Sequence, residues 1–197
     1  MQDEQVQNVA PVVSFADEPL ILVDSHDQPV GTMTKEAAHQ GQGILHRAFS
    51  IFVFNPAGDV LLQQRSADKT LWGGFWANSC CSHPRRGEDT GAAAQRRQSE
   101  ELGLNPTLSY LYKFEYHAQF GDLGAEHELC SVFAGCTAKA PAVNANEIDA
   151  TIWLSPAELD DALKNEPALY TPWLQFEWPR IRSDYWATIE ALLATHN

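Results

Sequence analysis

Two carboxylates separated by one residue, Glu126 and Glu128, open an otherwise apolar segment that runs to Cys136. On a strand, alternation places both on one face, and Cys130 continues that face. Side by side they repel each other unless a cation or protons intervene. A metal is the economical explanation. The bland alternative is an edge strand with two solvated acids, which so acidic a chain supplies freely. Of seven histidines, three fall at element edges: His39 at a helix end, His46 before a strand and His83 in a long loop. Imidazole is the commonest metal ligand at neutral pH. Three imidazoles with two carboxylates suit a divalent cation of intermediate hardness, such as Mn²⁺ or Zn²⁺, in six-fold coordination. Each histidine alone reads as surface or core filler, and only the assembly points to a metal.

Cys81 precedes His83 by two residues. A thiol beside a cation or imidazolium exchanges protons readily. Its ordinary reading is a small buried thiol, which suits Cys80 better. In the segment Ser82 to Leu104, Arg97 and Glu101 are four apart on one helix face, as are Arg96 and Glu100. Surface ion pairing explains both pairs. A second cation site at Glu101 is the sharper reading, because hard oxygen ligands plus substrate phosphates are how Mg²⁺ is held. Lys35, Arg65, Lys69 and Arg97 are four of only thirteen basic residues. Converging on one cleft, they would focus a diphosphate there.

These residues need elements to hold them. Residues 1–16 read as a flexible polar tail and 17–197 as one domain. Leu20–Val23 is a short strand, and Pro29–Met33 pairs back on it. Thr34 caps a short helix that Gly41 and Gly43 end. Ala48–Asn55 and Val60–Arg65 are strands joined by a turn at residues 56–59. Residues 66–87 read as an irregular loop of functional length. Asp89 or Thr90 caps a helix of about 13 residues that Gly103 closes. Tyr110–Ala118, Glu126–Cys136 and Ile152–Leu154 are strands. Ser155-Pro156 opens a helix to about Lys164, and a C-terminal helical segment from Pro172 is kinked or split at Pro179. Strands and helices do not alternate regularly, which disfavours a Rossmann sheet and predicts an α/β (α+β) fold with a mixed central sheet flanked by helices.

The 197 residues are 44% hydrophobic, enough for one domain with a real core. Twenty-six acidic against thirteen basic residues give a net charge of −13, which repels a phosphate backbone or an anionic membrane face. Neither nucleic acid nor membrane is expected as a partner. No apolar run approaches a bilayer span. The acidic start MQDEQVQ lacks a signal-peptide pattern, and four cysteines without a CxxC pair suggest reduced thiols. A cytoplasmic protein is expected, as a monomer with a dimer the alternative.

Together these pieces resemble the type I isopentenyl-diphosphate isomerase family. The segments are KEAAH (35–39), LHRAFS (45–50), LLQQRSADKTLWGGFWANSCCSHP (61–84), RRQSEELG (96–103), YHAQF (116–120), EHELCSVF (126–133) and TPW (171–173). They cover about residues 20–175 in the family's order. The resemblance implies a Nudix-type α/β/α sandwich. It also implies a catalytic Cys81 and metal ligands at His39, His46, His83, Glu126 and Glu128, with Glu128 doubling as the second catalytic acid. It places Tyr116 beside that acid, Trp173 against the hydrocarbon tail, diphosphate contacts at Lys35, Arg65, Lys69 and Arg97, and Mg²⁺ brought with the substrate at Glu101. Two departures stand out. Ser82 occupies the position of a glycine that begins the general Nudix pattern G-x5-E-x7-R-E-x-x-E-E, and Arg97 replaces the first glutamate of its R-E pair, as in the isomerases.

The implied reaction is a 1,3-proton shift that interconverts isopentenyl and dimethylallyl diphosphate in isoprenoid biosynthesis. An unactivated alkene is a weak base, so it needs a well-placed acid and a shield from water. Glu128, alone or relayed through Tyr116, is assigned the acid in the forward direction and Cys81 the base; the reverse reaction exchanges the roles. The π face of Trp173 would stabilise the cation by about 2 kcal/mol. The competing readings are a Nudix diphosphate hydrolase, against which Arg97 counts, and a non-catalytic metal-binding module.

Overall fold

In a computed structural model of the chain, residues 11–195 are described. Strands β1 (Pro19–Val23) and β2 (Pro29–Thr34) form an antiparallel hairpin. Its turn is held by Asp24, whose carboxylate accepts from the backbone N–H of His26 and of Gln28, each at 2.9 Å. Thr34 ends β2 and caps α1 (Lys35–His39), its hydroxyl accepting from the Ala37 N–H.

The centre of the sheet is β3 (His46–Phe54), which runs parallel to β8 (Gly124–Cys136). Both are buried almost throughout, as a parallel pair covered on both faces must be. The remaining pairings are antiparallel. Strand β3 also meets β1, β4 (Val60–Arg65) and the short β6 (Cys80–Ser82); β4 meets β5 (Trp76–Ala77) and β9 (Ile148–Leu154); and β7 (Ser109–Phe120) meets β8. Among the described residues the sheet is mixed and nine-stranded.

Alternation along β3 divides its side chains between two cores. Phe49, Ile51 and Val53 pack with Ala93, Ala94 and Leu102 of α2 (Thr90–Leu102). Phe52 and Phe54 pack with Leu159 of α3 (Pro156–Asn165), with Leu174 and Trp178 of α4 (Pro172–Arg180), and with Ile189 of α5 (Trp186–Ala194). The result is the expected α/β/α sandwich. Helix α2 starts and ends where its signals lie: Asp89 caps it and Gly103 closes it at φ 62°. Pro179 lacks an N–H, and the segment after it relaxes into a π-helical turn, Ile181–Tyr185, before α5 begins. Among the described residues no helix is long and apolar enough to cross a membrane.

Three expectations need revision. The segment 66–87 is not wholly irregular, because β5 and β6 lie within it. The fully buried residues Asn78 and Ser79 conceal this, since polar side chains there do backbone work. Ser79 Oγ accepts from the Val53 N–H at 2.8 Å and donates to the Leu61 carbonyl at 2.7 Å, stitching the loop between β3 and β4. Strand β9 starts at Ile148 rather than at residue 152, its early part hidden by the flanking acids Glu147 and Asp149. Of the expected tail, residues 1–10 lie outside the described residues. Residues 11–16 are tied down: the Asn144 side chain donates to the Pro11 carbonyl at 2.8 Å, Arg97 donates to the Val13 carbonyl, and Lys35 donates to Ser14 Oγ at 2.7 Å.

Gly124, at φ 150°, opens β8 where a side-chain carbon would overlap the backbone carbonyl of His39. Gly124→Ala is therefore expected to push α1 off β8 and to destabilise the protein by more than about 2 kcal/mol in urea titration. Gly121→Ala, where the added carbon meets open space, should cost only the left-handed strain of about 1 kcal/mol. Equal losses in the two variants would contradict this close approach.

Candidate active site

Strand register assembles the site. His46 lies opposite Glu128 across β3 and β8, Tyr116 lies opposite Glu128 across β7 and β8, and Ser50 lies opposite Cys81 across β3 and β6. His39 arrives from the end of α1 and His83 from the residue after β6. One ligand atom from each of His39, His46, His83, Glu126 and Glu128 falls in a group no more than 4.8 Å across. Every one of these residues is at least nine-tenths buried.

The donor set fits a metal ion. His39 Nδ1 lies 2.6 Å from the Lys35 carbonyl and His46 Nδ1 lies 2.7 Å from the Ile44 carbonyl. A carbonyl only accepts, so both Nδ1 atoms carry the hydrogen and both Nε2 lone pairs face the centre. The His46 and His83 Nε2 atoms face each other at 3.2 Å. Glu126 Oε2 stands 2.7 Å from His39 Nε2 yet makes no properly directed hydrogen bond, and His83 Nδ1 has no partner. Lone pairs aimed at a common point, with buried polar atoms left over, are what a cation would satisfy. Burial opposes ionisation of Glu126 and Glu128, but His39 beside the first and His46 beside the second hold both below the usual carboxylate range. Burial, with His46 and Lys35 nearby, drives His83 well below its ordinary value, so its imidazole is neutral.

Glu128 is also the acceptor for Tyr116, Oη to Oε2 at 2.7 Å. Tyr116, Trp173, Trp72, Leu71, Ala48 and Cys130 form one apolar cluster, and Cys81 packs against it. Burial, followed by the charge of Glu177, pushes the Cys81 thiol well above its ordinary range. Cys81 Sγ donates to Asn78 Oδ1 at 2.9 Å and lies 3.5 Å from Ser50 Oγ.

A cavity of about 540 Å³ opens beside this cluster, lined by Lys35, Arg65 and Lys69 among others, and reaching His39 and Glu126. Burial and then Lys69 lower Lys35 to about 8, a cost that an anion in the cavity would remove. Arg97 and Glu101 do not border the cavity. They pair with each other behind it, and Arg97 approaches the cavity-lining Glu147 at 3.9 Å. Cys81, Glu128, Tyr116 and Trp173 do not border it either, and Leu71 belongs to both the cavity wall and the apolar cluster. The guanidinium of Arg65 stands over the Trp173 ring, 5.1 Å from its centroid.

A family model described as NUDIX domain matches residues 44–174. Isopentenyl-diphosphate Delta-isomerase 1 of Photorhabdus laumondii is 41% identical over 85% of this chain and 97% of its own length. The chain belongs to that Nudix isomerase family. Isopentenyl-diphosphate Delta-isomerases of Pectobacterium atrosepticum and Nocardia farcinica are 39% and 44% identical, over 87% and 79% of this chain and 95% and 90% of theirs. DR0079 from Deinococcus radiodurans, 23% identical with a TM-score of 0.68 over 83% of this chain and 98% of its own, shares the fold. The isomerase family and its sandwich are thus the ones expected from the motifs.

Sequence reasoning missed three residues at this site. Ser50 and Asn78 look like fillers inside apolar or loop runs, and only pairing brings them to Cys81. Glu177 sits four residues beyond Trp173, so one helix face carries both; that spacing was a usable signal. Glu177 is fully buried, and burial pushes it up to about 8.

Mn²⁺ or Zn²⁺ added to metal-free protein at a hundredfold excess over its dissociation constant should stabilise it by about 2.7 kcal/mol. His46→Ala should lose most of that gain, and an undiminished gain in thermal melts would refute the ligand set. Glu177 binds its proton more tightly folded than unfolded, so its contribution to stability declines as pH rises from 4.5 to about 8. Glu177→Gln should show a shallower loss of melting temperature across that window, and parallel curves for the two proteins would rule the effect out.

Proposed function

We propose that the chain interconverts isopentenyl diphosphate and dimethylallyl diphosphate by a 1,3-proton shift, within isoprenoid biosynthesis. The observation that carries this reading is the Tyr116–Glu128 pair at 2.7 Å, set in the same aromatic-walled cluster as Cys81 beside a cationic cavity. The names of the relatives, three of which cover at least 79% of this chain, support it.

Lys35, Arg65 and Lys69 bind the diphosphate in the cavity, with Arg97 behind them, and Glu101, now paired with Arg97 behind the cavity, would hold the Mg²⁺ that accompanies it once that pair opens. The hydrocarbon tail passes Leu71 into the cluster of Trp72, Tyr116 and Trp173, where aromatic walls exclude water from a developing tertiary cation. Tyr116, hydrogen-bonded to the Glu128 carboxylate, holds the proton destined for C4, and Cys81, as its thiolate, takes one from C2; in the reverse direction the Cys81 thiol gives the proton and the Glu128–Tyr116 pair receives one. Trp173 presents its ring to the cation, a position that Arg65 now shares. His39, His46, His83, Glu126 and Glu128 would hold one Mn²⁺ or Zn²⁺, which when bound would fix the Glu128 carboxylate and tune its acidity. The unpaired state of all four cysteines supports a reducing, cytoplasmic setting.

Cys81→Ala and Glu128→Gln should each lower turnover by about 10²–10⁴-fold, measured as deuterium incorporation into isopentenyl diphosphate in D₂O with Mg²⁺ present. Near-normal exchange in either variant would remove the mechanism.

A further inference from the structure

The cations of the cavity are less free than their number suggests. Arg65 donates through Nε to the Trp72 carbonyl and through Nη2 to the Leu71 carbonyl, each at 3.1 Å. Lys69 is paired with Glu147. Lys35 donates to Ser14 Oγ at 2.7 Å. A diphosphate is ringed with acceptor oxygens, and it is held best by directed donors as well as by positive charge. Ser14 lines the same cavity as Lys35, Arg65 and Lys69, and the reaction as described gives it no part.

The segment that carries Ser14 is fixed on both sides of it. The Asn144 side chain donates to the Pro11 carbonyl at 2.8 Å, and Arg97 donates to the Val13 carbonyl. Past Ser14, the Glu36 N–H donates to the Ala16 carbonyl at 2.9 Å and the Lys35 N–H to the Glu18 carbonyl at 2.8 Å, so the chain is laid across the first turn of α1. Val13 is buried, while Val12 and Phe15 stay exposed on the cavity wall. Each of these bonds uses a carbonyl of the segment, and none uses the Ser14 hydroxyl.

We propose that Ser14 is a substrate-binding residue whose hydroxyl donates to a phosphoryl oxygen of the diphosphate. An ammonium donates and cannot accept, so the serine oxygen is the acceptor in the Lys35–Ser14 pair and its own hydrogen is left over. Among the described residues that hydrogen has no acceptor. It sits on a half-buried side chain at the wall of a cavity lined by cations, where an anionic oxygen is the group to take it. Accepting from Lys35 also polarises the hydroxyl and strengthens it as a donor. On the plainer view Ser14 does no more than satisfy Lys35, and losing its hydroxyl would then touch stability and leave ligand affinity alone.

This inference rests on the placement of the diphosphate in the cavity, and the experiment separates the two. Inorganic pyrophosphate is titrated calorimetrically, with Mg²⁺ and at neutral pH, into metal-loaded wild type, Ser14→Ala, Ser14→Thr and Lys35→Met. Turnover of isopentenyl diphosphate is measured on the same proteins. Ser14→Ala should weaken pyrophosphate binding about tenfold, the loss of one hydrogen bond to a charged oxygen. It should raise KM by a similar factor with kcat nearly unchanged, because the phosphates are held alike in the ground and transition states. Ser14→Thr keeps the hydroxyl and should stay within about twofold of wild type in both measurements. Wild-type affinity in Ser14→Ala, an equal loss in Ser14→Thr or a loss confined to kcat would each overturn the inference. Lys35→Met tests the reading beneath it. A large loss of pyrophosphate binding there upholds the placement, so that wild-type binding in Ser14→Ala beside it discards the inference alone. Undiminished binding in Lys35→Met, or none in the wild type, discards the placement and the inference with it.

Discussion

Glu126 and Glu128 project from the same face of one strand into a space almost closed to water. Two like charges so placed repel strongly, and each has also lost its hydration. The surroundings are organised around relieving that conflict. Three imidazoles turn their Nε2 atoms toward the carboxylates, two of them oriented by backbone carbonyls acting on Nδ1. The tautomers are set before any ion arrives, so a cation finds its lone pairs already aimed. The short approach of His39 to the strand depends in turn on Gly124, which has no side chain to hold the two backbones apart.

The same constraint explains how so acidic a protein can handle an anionic substrate. Its net charge of −13 is spread over the chain, whereas Lys35, Arg65 and Lys69 converge on one cavity. Local placement outweighs the global sum because screening confines each charge to about 10 Å. Glu147 balances Lys69 on the cavity wall and links it to the Arg97–Glu101 pair behind. The N-terminal residues 11–16 close one side of it, with Ser14 held on Lys35.

Beyond the cavity the character changes from ionic to aromatic. Trp72, a non-glycine residue held at φ 50°, packs edge-on to Trp173, which Arg65 overlies in turn. Leu71 is the shared wall between the cationic and apolar compartments. A diphosphate with a branched five-carbon tail has the same two-part character. Among the described residues, Glu177, against Cys130 at the edge of the apolar compartment, is a buried carboxyl with no counter-charge in contact.

Much of this was legible in the residues themselves. Strand β3 announced itself by a strongly apolar run, α2 by Asp89 and Gly103 at its ends, and the C-terminal break by Pro179, because backbone dihedral preferences and alternation act over a few residues. The ligand types at 39, 46, 83, 126 and 128 were readable for the same reason: metal chemistry restricts which side chains serve. What the sequence did not contain was distance. Whether β3 lies parallel to β8, so that His46 meets Glu128, and whether Ser50 falls opposite Cys81, are decided by register. Register comes from burying both faces of the central strands at once, a condition no local segment can satisfy. Glu177 shows the limit most plainly: a glutamate is ordinarily solvated, and only the packing of α4 against the sheet turns this one inward, where the loss of water changes its acidity.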